Sequence, residues 1–489
     1  MIALKDILVV APMLVLLVAS LIPVMIKVFN SNREPAPFVT IAYSILGLVA
    51  AGFLTASMSG AKQTAFSDAL VLDGMGVWGT YLILGSAAFA MMMAYDHVDT
   101  FKRLFSEKCF LMMGSVIGML ILLLSNDLIV TFLGIETMSL CIYILIAMSR
   151  EEILSKEAAF KYFVLGSFAS AIFLYGIAMI YGTVGSTQIP AITAKVGELL
   201  TNKNHLFYFG IGMLILGFAF KVSIFPFHFW TPDVYQGSPT PITAFMATAV
   251  KAATFIAMLR VFQSAGYQAE PKLMSALSWL AVMTMTVGNT AAILQKNFKR
   301  VLAYSSVAHS GYIMIGLIAA AFGDNYDSAA IIVLFYLFSY TVMTLGSFAL
   351  IGILEKKVGV GLNVDDLKGL AKKHPVLAAA LAVILFSLAG VPPTLGFFGK
   401  FSLFGVAIEQ DLYWLAFWGV LNSVVSVYYY LRPVVVIYMT DSEETSDELV
   451  ATGGLAKATL VFTAALTVII GLVSSPLLEM VRAAVLSRH

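Results

Sequence analysis

The feature that most narrows the fold of this chain is a succession of apolar stretches separated by short clusters of charge. Most of them reach the length, about 20 residues as a helix, that crosses roughly 30 Å of hydrocarbon. In that medium every backbone N–H and C=O must find a partner inside its own element, which leaves helices and closed barrels. The stretches are too long and too continuously apolar for barrel strands, so an all-α polytopic membrane protein is expected. Composition agrees: 60% of the 489 residues are hydrophobic and 12% are charged, against about 25% charged in a soluble domain. The mean hydropathy is +0.92.

Hydropathy places about fourteen spans, near residues 7–28, 36–57, 72–94, 109–125, 127–148, 157–183, 206–226, 240–262, 273–294, 300–322, 328–353, 375–407, 413–438 and 456–476. The first follows a single Lys and runs straight into further spans, which reads as helix 1 rather than a cleaved signal peptide. Helix 12 is too long for one plain crossing and contains Gly390, Pro392, Pro393 and Gly396, so it is expected to be broken. Pro226 predicts the same for helix 7.

Counting Lys and Arg in alternate loops gives an orientation. Loops after odd-numbered spans hold eighteen, among them Lys27, Arg33, Lys299, Arg300 and Arg432, while the opposite side holds eight, among them Lys62, Arg260 and Arg482. The positive-inside rule then puts both termini on the non-cytoplasmic side. With no transit peptide, a bacterial cytoplasmic (inner) membrane is expected. The 29 basic and 28 acidic residues nearly cancel, and no basic tract suggests nucleic-acid binding. The acidic run Asp441–Glu448 reads as a solvated loop.

Three basic residues remain, Lys221, Lys251 and Lys400, and all fall inside spans, as does one acid, Glu136. A Lys at the centre of a membrane helix costs about 2.5–3.5 kcal/mol on insertion, so the four together cost on the order of 10 kcal/mol. Burial favours the neutral amine and a nearby carboxylate favours the ammonium, so a movable acidic partner makes a lysine a proton switch. The competing reading is a set of static interhelical salt bridges, weakest for Lys251 because no second in-span acid is left for it. A proton pathway is the reading these charges favour. His228 and His309 are further relay candidates, and equally candidates for hydrogen-bonded packing. Met91 to Met93 and Tyr428 to Tyr430 read as packing and interface anchors rather than a quinone site.

Cys109 and Cys141 lack a CxxC partner or a nearby His, and no Rossmann, Walker or HExxH pattern occurs. No cofactor and no metal are expected in this chain. Helices 4–8 and 9–13 each contain a broken helix with a Lys. A unit of five crossings starts its second copy on the opposite side of the membrane, giving two inverted repeats. The chain then divides into helices 1–3 (residues 1–108), repeat one (109–265), repeat two (273–438) and helix 14 (456–489), one membrane domain throughout.

FKVSIFPFHFWTPDVYQGSPTP (220–241), KRVLAYSSVAHSGY (299–312) and FSLAGVPPTLGFFGKFSLF (386–404) closely resemble the antiporter-like subunits of respiratory complex I. The likeness covers helices 4 to 13. It implies a Glu and Lys pair on helices 5 and 7, matching Glu136 and Lys221, a central Lys on helix 8, matching Lys251, and a terminal Lys on helix 12, matching Lys400. His309 resembles a helix 10 histidine of the polar axis. One branch of the family generally has Glu at the position of Lys400 and another carries a long lateral helix after its bundle, so this sequence is most similar to the remaining branch. The resemblance implies proton translocation driven by quinone reduction in an NADH-quinone oxidoreductase, with flavin and iron–sulfur clusters in partner subunits. The partners it implies are neighbouring complex I membrane subunits, with lipid, protons and water. A cation/proton antiporter subunit on the same fold, a purely structural spacer and a quinone-binding catalytic role are the alternatives.

Overall fold

Among the described residues, twelve continuous helices long and apolar enough to cross a membrane, together with two broken ones, make fourteen crossings. The computed structural model describes residues 4–30, 33–60, 62–97, 104–149, 153–355, 361–440 and 453–486. The crossings are α1 (Leu4–Phe29), α2 (Pro37–Ser57), α3 (Gly74–Asp96), α4 (Phe105–Leu124), α5 (Leu128–Ala147) and α6 (Ile153–Val184). After them come α7, in two halves α7a (His205–Lys221) and α7b (Trp230–Gly237), and α8 (Thr240–Val261). Next are α9 (Pro271–Ile293), α10 (Phe298–Phe322) and α11 (Tyr326–Leu354). The series ends with α12 in halves α12a (Pro375–Ala389) and α12b (Leu395–Glu409), then α13 (Tyr413–Met439) and α14 (Gly454–Leu472).

Most span limits agree with hydropathy to within a few residues, and the differences have local causes. Helix 7 does not end at Pro226 but resumes at Trp230, so this crossing is longer than its apolar run. The last span ends at Leu472, and an amphipathic helix, Ser475–Leu486, packs separately on α11 and α3. A second short helix, Ile189–Thr201, follows α6, and a small hairpin, β1 (Gln63–Ala65) with β2 (Leu70–Leu72), joins α2 to α3. These pieces alternate polar and apolar residues over too short a run for a hydropathy scan. The acidic run Asp441–Glu448 lies outside the described residues.

Both breaks occur where proline removes a helix donor. Phe225–Pro226 and Pro392–Pro393 are cis peptides, and Gly390 closes α12a at φ +87°, a left-handed conformation that suits glycine. The two five-helix units repeat in detail. In the first, the α4–α5 connection pairs with the segment after α6, through Leu128 N–H to Thr187 O and Ile189 N–H to Asn126 O, both 2.9 Å. In the second, the α9–α10 connection pairs with the segment after α11, through Phe298 N–H to Leu362 O at 2.7 Å and Val364 N–H to Lys296 O at 2.9 Å. Asp127 caps α5 and Asn297 caps α10 at corresponding places. Five crossings separate the two pairings, so they lie on opposite faces of the bundle.

Every residue of α8 is buried, which makes it the axis of the molecule, with α10 and α11 packed next to it. The lipid-facing crossings α1, α2, α6, α13 and α14 expose a large share of their apolar side chains.

Candidate functional site

Lys221, Lys251 and Lys400 each lie on an element whose regular helix is interrupted. Lys221 is the last residue of α7a, Lys251 follows a π-helical turn (Met246–Val250) in α8, and Lys400 stands in α12b one turn beyond the second break. Single π turns inside α-helices concentrate at functional positions. All three are at most 4% exposed, yet among the described residues none forms an ion pair.

Lys221 Nζ donates to Ser139 Oγ at 2.6 Å and to Tyr143 OH at 3.3 Å, both on α5. It also stands over the Tyr143 and Tyr162 rings, 5.5 and 5.7 Å from their centroids. Glu136 lies one turn before Ser139, is half-buried, and accepts a hydrogen bond from Ser170 Oγ of α6. The expected Glu and Lys pair therefore makes no direct contact among the described residues, Glu136 being held from α6 and Lys221 by the next turn of α5.

Lys251 Nζ donates to Ser306 O at 2.6 Å and to Ser306 Oγ at 2.5 Å. Tyr340 OH, from α11, donates to the same Oγ at 2.9 Å. Ser310, one turn further along α10, donates to Ser306 O at 3.2 Å and also to Val222 O, in the break directly after Lys221. Two serines of one helix thus reach from Lys251 to the main chain beside Lys221, while the Lys221 ammonium itself faces α5.

Beyond Lys251 the polar series continues. His309 Nδ1 meets Tyr336 OH at 2.7 Å and Nε2 meets Tyr430 OH at 3.0 Å, and Tyr430 OH also meets Ser305 Oγ. Tyr429 OH donates to Asn289 Oδ1 at 2.9 Å, and Asn289 Nδ2 donates to Tyr312 OH at 3.2 Å. The Tyr312 ring centroid is 5.2 Å from Lys400 Nζ. Lys400 donates to the terminal carbonyls of α12a, Leu388 O at 2.9 Å and Ala389 O at 3.2 Å, and to Ser423 Oγ at 3.1 Å. Those carbonyls are the negative end of a helix that the break has opened.

The structure places Lys251, His309 and Lys400 along a run of polar side chains that ring contacts interrupt, with Lys221 adjoining it at Val222, and leaves His228 outside it. His228 stacks between Phe225 and Phe229 in the break of α7, with Nδ1 lacking a hydrogen-bond partner. Tyr429 and Tyr430, read from sequence as packing anchors, line the series, while Tyr428 is 62% exposed. The available signal was the spacing of Ser306 and Ser310 on α10 and of Tyr336 and Tyr340 on α11, each pair on one helix face. The loop tally also hid two buried ion pairs, Lys299 with Glu355 at 2.7 Å and Arg260 with Asp73 at 2.5 Å. Among the described residues no group of His, Cys, Asp and Glu is arranged to hold a metal ion.

Residues 125–426 match the family described as "NADH:quinone oxidoreductase/Mrp antiporter, TM". The chain belongs to this family. The relatives of this oxidoreductase/antiporter family include NADH-quinone oxidoreductase subunit N of Bdellovibrio bacteriovorus, 51% identical over 487 residues that cover 99% of each chain. A chain of respiratory complex I from Thermus thermophilus superposes with a TM-score of 0.80 at 32% identity, over 96% of this chain and 98% of that one. A chain of the Mrp complex from a Dietzia species has the same fold, with a TM-score of 0.80 at 20% identity over 99% and 98%. The branch expected from Lys400 and from the length of the chain is that of subunit N, the name its curated relatives carry. As a member of this family the chain is a multi-pass membrane protein of antiporter-like architecture.

Proposed function

We propose that this chain is a proton-translocating subunit of an NADH-quinone oxidoreductase, moving protons along Lys221, Lys251, His309 and Lys400, with Glu136 as the acid that biases Lys221. The observation that carries the reading is the run of hydroxyls, amides and imidazole that lies between three buried lysines, none of which forms an ion pair among the described residues. Such groups both accept and donate, so each can pass a proton on, with water bridging the gaps between them. A shift of the Glu136 charge alters the field at Lys221 and couples this subunit to its neighbour.

In this reading the chain acts as the membrane part of a translocase. It draws on quinone reduction elsewhere, with flavin and iron–sulfur clusters in partner subunits and neighbouring membrane subunits at its flanks. The assembly sits in a bacterial cytoplasmic membrane with both termini outside the cytoplasm. Full-length identity of 51% to a subunit N supports the oxidoreductase side of the family over a cation/proton antiporter.

The test is proton pumping in inverted membrane vesicles carrying Lys251→Ala, with assembly verified and NADH oxidation recorded in parallel. Fewer protons pumped per NADH in an intact complex is the expected result. An unchanged ratio would leave the chain a structural spacer.

A further inference from the structure

The first four crossings of repeat one are packed as two close pairs of helices. In α4 and α5 the backbones touch: a Cβ at Gly134 would lie 2.6 Å from Leu122 N, and Ser115 Oγ donates to Met138 O at 3.2 Å. In α6 and α7a they touch again, where a Cβ at Gly176 would lie 2.9 Å from Gly210 O. Backbones this close leave no side chain to turn between them, so each pair is a rigid unit. Helix α6 is fixed to α7b as well, by Ser155 Oγ donating to Gly237 O at 2.6 Å and by the Tyr162 ring stacked on Trp230 at 4.5 Å.

The seam between the two pairs is held by contacts of another kind. It contains the bonds of Lys221 to Ser139 and Tyr143 and the bond of Ser170 to Glu136. Where α6 meets Tyr143, Gly166 leaves the room that the tyrosine hydroxyl occupies, so the contact is with the tip of a side chain that can turn. Main-chain bonds between the α4–α5 connection and the segment after α6 tie the seam at one end. The units can therefore turn about that end while polar side chains exchange partners further along.

On α5, Glu136, Ser139 and Tyr143 share one face at spacings of i, i+3 and i+7. The Lys221 ammonium reaches the later turns of that face and leaves Glu136 one turn away. A carboxylate and an ammonium this near in a low-dielectric interior attract each other strongly. The group that holds the carboxylate elsewhere is Ser170, 8% exposed, which donates to it from the opposite helix.

We propose that Ser170 is a positioning residue for proton transfer at Lys221, a latch that parks the Glu136 carboxylate on α6 and releases it when the two helix pairs turn at their seam. The inference rests on the translocation reading above and deepens it. With the carboxylate parked, Lys221 is held by neutral hydroxyls and can lose its proton. With the latch open, the carboxylate crosses one turn to Lys221, and the pair keeps the ammonium charged. The latch moves a carboxylate and transfers no proton itself.

The test is Ser170→Ala, a change that suits a helix and removes only the hydroxyl. Assembly is verified, and coupled NADH oxidation and protons pumped per NADH are followed across pH in inverted membrane vesicles. The latch predicts several-fold slower coupled oxidation at neutral pH, with the shortfall closing as the pH rises, because an ammonium held by a carboxylate yields its proton only to a more alkaline medium. Ser170→Thr, which keeps the hydroxyl, should restore most of the parental rate. In a Glu136→Gln background, Ser170→Ala should change nothing further, since the latch acts only through that carboxylate. A parental rate in Ser170→Ala, beside a lowered ratio in Lys251→Ala, would overturn the latch and leave the translocation reading standing. A loss that is equal at every pH, or that adds fully to the loss in Glu136→Gln, would mark a packing defect and overturn it too. An unchanged ratio in Lys251→Ala would overturn the reading on which the latch rests.

Discussion

A lysine paired with a carboxylate is locked in its charged form, and a lysine held by hydroxyls and carbonyls is not. Lys251 and Lys400 are of the second kind, since their acceptors are serine hydroxyls and main-chain oxygens. If Lys251 serves by gaining and losing a proton, its charge alone is not enough. Lys251→Arg, which keeps the charge on a group that stays protonated at any working pH, should abolish this subunit's share of pumping as fully as Lys251→Ala. Equal protons per NADH in Lys251→Arg and the parent would mean that the position needs only a cation. Ser306→Ala is a gentler probe, because it removes the hydroxyl shared by Lys251 and Tyr340 but leaves the carbonyl. Its expected cost is about 1–3 kcal/mol for the groups left unpaired, read as a several-fold slower coupled oxidation. Oxidation at the parental rate would remove Ser306 from the route. The lysines were legible in the sequence because a charge in an apolar run stands out. Ser306, Tyr340 and Tyr430 were not, since a buried hydroxyl costs little and occurs in any membrane helix, and only the fold reveals that these face one another.

At the scale of the element, hydropathy located nearly every crossing because the membrane imposes one length on all of them. It did not locate α7b, whose residues Trp230–Gly237 are buried by protein on the far side of a break and need not be continuously apolar. It also did not foresee the π turn before Lys251, which has no signature in composition. The interruption in α12 was legible from its prolines, and its geometry makes a prediction. Gly396 N–H donates a hydrogen bond to Ser387 Oγ at 2.9 Å, and a Cβ at Gly396 would lie 2.0 Å from Ser387 O. The two halves of α12 therefore meet without room for one more methyl. Gly396→Ala should force them apart at a cost of about 1–3 kcal/mol. The displaced α12a carbonyls would then no longer meet Lys400, and both the melting temperature of the complex and the protons pumped per NADH should fall. A variant that melts like the parent and pumps fully would show that the contact at Gly396 does not set the position of Lys400.

For the whole molecule, the question is what holds α8 in place while a charge at its midpoint comes and goes. Each end of α8 is fixed by a buried ion pair. Arg260 with Asp73 fixes one end to the first three helices, and Thr240 at the other end donates to Glu355, which pairs with Lys299. Lys299 also donates to Ser238 O at 3.2 Å, in the turn before α8, so this second pair joins the last segments of repeat one to the start of α10 and the end of α11 in repeat two. Neither Lys299 nor Glu355 is more than 1% exposed at its side chain. Removing one partner of such a pair leaves an uncompensated buried charge and costs about 3–5 kcal/mol, whereas replacing both by apolar groups of similar size is often close to neutral. Glu355→Gln should therefore lower the yield and melting temperature of the assembled complex sharply, and combining it with Lys299→Met should recover most of the loss. If the pair is only a clamp, the recovered double variant pumps normally, since the clamp lies off the series from Lys221 to Lys400. If the double variant assembles fully but pumps fewer protons per NADH, the pair is more than a clamp and its charges act on the protonation of Lys251, on the helix that it holds.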